Sequence, residues 1–65
     1  MQDMSITIYF ETGKRFYKEL VSQIYITDIE GKSFLSIEWL NVNTGFYDKM
    51  SWQAESVARI SAKVL

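Results

Sequence analysis

The chain has no cysteine, no histidine and no proline, and only three glycines among its 65 residues. Without cysteine there is no disulfide and no thiolate. Without histidine as well, the common zinc sites are excluded. General acid–base catalysis draws on histidine or on two carboxylates in one cleft. Glu38 stands inside a predicted strand on the face away from the core and reads as a solvated position. Gly13, Gly31 and Gly45 each stand alone in a turn signal, so no glycine-rich phosphate loop is formed. Asp28, Glu30 and Asp48 lack the spacing of a calcium loop. The expectation is a protein that is not an enzyme and takes no metal and no cofactor.

Other classes are also poorly matched. Residues 1–5 are polar and carry no basic segment, which does not fit a signal peptide. No apolar run approaches the ~20 residues of a membrane-crossing helix. The reading is cytoplasmic, with no membrane partner. Seven Lys and Arg stand against eight Asp and Glu, a formal net charge of −1 without like-charge runs. A strongly basic nucleic-acid binder would show a basic excess.

What is present is an apolar, aromatic-rich chain, with ten aromatics in four Phe, four Tyr and two Trp. A chain this short forms one domain, residues 1–65, and buries only about 60% of its unfolded surface. Residues 24–40, IYITDIEGKSFLSIEWL, read as a β-hairpin. A two-residue loop at Glu30-Gly31 sets Ile26 against Leu35 and Ile24 against Ile37 on one face. The same register sets Tyr25 against Ser36 and Thr27 against Phe34 on the other. Gly31 supplies the positive φ of a tight turn.

Residues 5–10, SITIYF, alternate strictly as a half-buried strand. Residues 15–20, RFYKEL, follow, with Phe16 and Leu20 on the apolar face and Tyr17 opposite. A three-residue loop over residues 12–14 pairs Phe10 with Phe16, Tyr9 with Tyr17 and Glu11 with Arg15. Residues 41–45, NVNTG, form the strongest turn signal. A Thr44-Gly45 loop there sets Trp39 against Met50 and Ile37 against Trp52.

The last stretch, residues 53–65, satisfies two periods. As a helix it gathers Ala54, Val57, Ile60 and Val64, with Glu55, Arg59 and Lys63 as an i, i+4 row. As a strand it alternates Ala58, Ile60, Ala62 and Val64 against Arg59, Ser61 and Lys63. A short internal repeat favours the strand: Thr12-Gly13, Phe16-Tyr17 and Val21-x-x-Ile24 against Thr44-Gly45, Phe46-Tyr47 and Val57-x-x-Ile60. A 3₁₀-like turn would feed it.

The predicted fold is all-β: a small antiparallel meander of five or six short strands, curled toward a partly closed barrel. The alternative is α+β, with a C-terminal helix from about residue 52. The predicted core is Ile6, Ile8, Phe10, Phe16, Leu20, Ile24, Ile26, Leu35, Ile37, Trp39, Met50, Trp52, Val57 and Ile60. The predicted sheet edges are residues 5–10 and the C-terminal stretch.

The opposite face carries Tyr9, Tyr17, Tyr25, Phe34 and Tyr47. Exposed apolar patches mark interaction sites, and tyrosine is enriched at interfaces. These five residues are the candidate partner-binding set. Residues 54–65, AESVARISAKVL, faintly resemble the end of a small phage-encoded uracil-DNA glycosylase inhibitor, through alternating apolar residues alone, and no residue role is carried over. At class level the resemblance implies a small phage-type β protein that blocks a host protein.

The expected function is therefore a protein-binding module, an inhibitor or accessory factor. Homodimerisation edge to edge or through Tyr9, Tyr17 and Tyr25 is a further expectation. The alternative is a small β-barrel for single-stranded nucleic acid, with Lys14, Arg15, Lys18 and Lys49 interleaved among the tyrosines.

Overall fold

The computed structural model describes residues 3–65, so the polar reading of Met1 and Gln2 lies outside the described residues. Five strands follow in order: β1 (Met4–Phe10), β2 (Arg15–Ile29), β3 (Lys32–Leu40), β4 (Tyr47–Gln53) and β5 (Val57–Val64). A single 3₁₀ turn, Ala54–Ser56, separates β4 from β5. The protein is all-β, and the C-terminal stretch is a strand, not a helix. All pairings are antiparallel, in the spatial order β4-β3-β2-β1-β5. The first four strands form a meander; β5 runs on from β4 and joins the far side of β1. The sheet curls without closing.

The placement of β5 corrects one expected edge. β1 is not an edge strand, because β2 flanks it on one side and β5 on the other. The outer edges are β4 and β5.

Turn chemistry sets the registers. In the central hairpin Ile29 pairs with Lys32, with Glu30 (φ 51°) and Gly31 (φ 81°) between them. Two successive positive φ values match the right-handed strand twist. Ile24↔Ile37, Tyr25↔Ser36 and Ile26↔Leu35 pair as the alternation predicts.

The other two hairpins are shifted. In the first, Ile8 faces Phe16 and Tyr9 faces Arg15, not Phe10 facing Phe16 and Tyr9 facing Tyr17. The loop has three residues but covers residues 11–13. The Phe10 amide donates to the Lys14 carbonyl and Gly13 donates back to Phe10, both at 2.9 Å. In the last hairpin Ile37 faces Met50 and Leu35 faces Trp52, not Trp39 facing Met50. Asn41 is the reason: its carbonyl accepts from Gly45 at 2.8 Å, and its side-chain oxygen accepts from the Asn43 amide at 3.0 Å. That local network holds residues 41–46 as one longer turn. Both shifts displace the partner by two residues, so every side chain keeps its face.

The long strand β2 is broken by two adjacent bulges. Between Met4↔Val21 and Ile6↔Lys18, Ser5 opposes both Glu19 and Leu20. Between Val21↔Trp39 and Gln23↔Glu38, Ser22 is the extra residue. Leu20 takes a left-handed backbone, φ 58°. The first bulge inverts the side-chain phase and the second restores it. Val21 is therefore fully buried, and Leu20, placed in the core by alternation, is exposed.

The core consists of Ile6, Ile8, Val21, Leu35 and Ile37, with Met4, Phe10, Phe16, Ile24, Trp39, Trp52 and Val57 packed around it. The Trp52 ring packs at a tilt against Phe16 and Phe10, with centroids 5.1 and 5.9 Å apart, respectively. These contacts fold β4 over the β1–β2 hairpin. Ile26, Met50 and Ile60 correct the core expectation, because all three are exposed. Ile26 lies beyond the end of β1, where β2 has no second neighbour. Met50 and Ile60 belong to edge strands, on either side of the opening in the curl. Over that end of the core, the Lys18 ammonium sits 4.9 Å from the centre of the Trp39 ring, its stem along the apolar surface.

Candidate functional site

The five predicted partner-binding aromatics all lie off the inner face, but they do not form one surface. Thr7 pairs with Tyr17, so Tyr9 and Tyr17 are diagonal neighbours on β1 and β2. Thr27 pairs with Phe34, so Tyr25 and Phe34 are diagonal neighbours on β2 and β3. The bulged segment separates these two pairs. Tyr47 stands apart on β4, opposite Leu40.

Tyr9 is flanked by two arginines, whereas Tyr17 meets an acid, and Lys18 lies on the inner face over Trp39 rather than among the tyrosines. The Arg59 guanidinium lies 4.1 Å from the Tyr9 ring centre, and Arg15 is the Cα partner of Tyr9 on the other side. Tyr17 donates to Glu19 at 2.9 Å. That bond to a carboxylate holds the phenol's proton and raises its pKa from the ordinary value.

The Tyr25 pair is half-buried and more constrained. Tyr25 donates its hydroxyl proton to Glu38, which raises its pKa. Beneath it Ser36, almost fully buried, shares a 2.8 Å hydrogen bond with Ser51.

A concave feature lies where the β2 bulges meet the last hairpin. It is a groove of about 520 Å³, lined by Leu20, Leu40, Val42 and Tyr47, by the polar residues Ser22 and Gln23, and by the acids Asp3 and Glu38. The four apolar residues are 57%, 45%, 83% and 62% exposed, respectively. Among the described residues, its lining contains no Lys or Arg. Each wall has a local cause. Leu20 is turned outward by its left-handed backbone. Val42 projects from the turn that Asn41 organises. Leu40 and Tyr47 form a cross-strand pair on the outer face, next to Glu38.

Of the predicted aromatics, Tyr47 belongs to this groove and Tyr25 adjoins it through Glu38. Leu20, Leu40 and Val42 were missed. Leu40 flanks the strong NVNTG turn signal and Val42 lies within it, where exposure is legible, whereas the outward turn of Leu20 depends on the bulge.

Among the described residues, no group of three or more His, Cys, Asp or Glu could hold a metal ion. Among the same residues, no helix is long and apolar enough to cross a membrane. Fold and groove together define a small, open β sheet with a concave site of mixed apolar and polar lining that carries two acids. No protein-family model, curated protein or solved structure matches the chain.

Proposed function

We propose that this chain is a protein-binding module, serving as a small inhibitor or accessory protein, and that its partner inserts an apolar side chain flanked by lysine or arginine into the Leu20–Tyr47 groove. The observation that carries this reading is the groove lining: four exposed apolar side chains beside two acids, with the polar residues Ser22 and Gln23 in the same lining. Contiguous exposed apolar surface marks interaction sites, and complementary charge steers and orients a partner.

Selection from a random peptide display library tests it. The expected ligands combine a large apolar residue with a nearby cation, and Val42→Asp and Tyr47→Ser each weaken their binding at least tenfold. Ligands without that pattern, or binding indifferent to both substitutions, would contradict the proposal.

The two arginines beside Tyr9 favour a second reading, binding of single-stranded nucleic acid. Arg59, already stacked on Tyr9, would offer its free guanidinium face to a base. Affinity for an oligonucleotide falling steeply with salt would support it, and salt-insensitive or absent binding would oppose it.

A further inference from the structure

We propose that two copies of the chain pair antiparallel along β5, in the register that sets Ala62 of one copy against the partner's Ala62. The surface is the free edge of the sheet and shares no lining residue with the groove.

The backbone phase of that edge follows from one hydrogen bond. The Leu65 amide donates to the Asp3 carbonyl at 3.1 Å, and β1 and β5 stay in unbroken register from Met4↔Val64 to Tyr9↔Arg59. Hydrogen-bonded and non-bonded pairs alternate along an antiparallel ladder. Arg59, Ser61 and Lys63 therefore bond to β1, while Ile60, Ala62 and Val64 turn N–H and C=O outward. The other side of β1 gives the same phase independently. Phe10 donates to Lys14, so even-numbered β1 residues serve β2 and odd-numbered ones serve β5.

Three central two-fold registers let outward groups meet outward groups. With Ser61 on the axis, Arg59 opposes the partner's Lys63 twice, and like charges directly opposite are destabilising. With Ile60 on the axis, the ladder must include Ala58, at the register shift next to Tyr9 and Phe10. With Ala62 on the axis, only the regular residues 60–64 are used. Ile60 then opposes the partner's Val64 twice on the inner face, and Ser61 opposes the partner's Lys63 on the outer face. No like charges meet.

The opposite edge is blocked differently. β4 carries Asp48 on its inner face, opposite Trp39. An inward-pointing charge is one of the devices that protect edge strands. On β5 the inner residues are Ile60, Ala62 and Val64, all apolar, with Ile60 40% and Val64 62% exposed.

A five-residue ladder is smaller than a standard interface of roughly 1,600 Å², so the result is a concentration-dependent monomer–dimer equilibrium. Sedimentation of the whole chain over about a hundredfold concentration range reads it, because mass action governs the dimer fraction. The wild type is expected to shift from monomer to dimer mass. Ala62→Pro deletes an N–H that bonds nothing among the described residues, so it should stay folded and monomeric throughout. Val64→Lys, an exposed site whose substitution removes no backbone group, should also be monomeric at every concentration. A wild type that stays monomeric, or a Val64→Lys variant that dimerises like wild type, would overturn the proposal.

Discussion

Leu20 and Val21 carry most of what is unusual about this chain. A bulky residue at φ 58° pays about 1–2 kcal/mol relative to the right-handed regions. Glycine removes that strain but loses about 0.5–1 kcal/mol of chain entropy in a strand. Leu20→Gly should therefore stabilise the fold by about 0.5 kcal/mol, measured by chemical denaturation, while weakening any ligand of the groove. Strain retained beside a concave site is the pattern expected where stability yields to binding. The Tyr25–Glu38 pair gives a second residue-scale prediction. Its hydrogen bond raises the phenol pKa in the fold, so its contribution is full below the unfolded value of about 10 and is lost as pH rises through the higher folded value. Tyr25→Phe should flatten the alkaline loss of stability relative to wild type, and an unchanged pH profile would show that the bond is absent in solution.

At the scale of elements, alternation was legible wherever a ladder is regular. The central hairpin could be read residue by residue because its Glu30-Gly31 loop admits one register. The flanking hairpins slipped by two residues, which local turn networks decide and hydrophobic patterning does not sense. Asn41→Ala removes the side chain that accepts from Asn43 and donates to Asp48 at 3.0 Å. It should cost about 1 kcal/mol and broaden the amide signals of residues 41–46. The β2 bulges were not legible, since no residue type announces a left-handed leucine. Their two phase inversions cancel, which is why, within β2, alternation failed only at Leu20 and Val21. The internal repeat led to the right strand at the C-terminus on a loose analogy: Phe16 packs in the core, whereas Phe46 is 75% exposed.

Across the whole molecule, the curl brings together residues distant in sequence. Trp52, on an edge strand, reaches Phe10 and Phe16 across the interior. Trp52→Ala should cost about 3–5 kcal/mol, most of the stability of a small domain. Urea denaturation with unchanged stability would mean that β4 does not fold over the first hairpin. The same three-dimensional arrangement explains why the candidate site was only half legible. Aromatic content pointed to the outer face, but β2 breaks that face into separate patches and opens the groove between them. A two-dimensional NMR titration with a selected apolar–basic peptide tests that groove most directly. Shifts concentrated at Leu20, Glu38, Leu40, Val42 and Tyr47 are predicted. Shifts confined to Tyr9, Tyr17 and Arg59, with the groove residues unmoved, would contradict it.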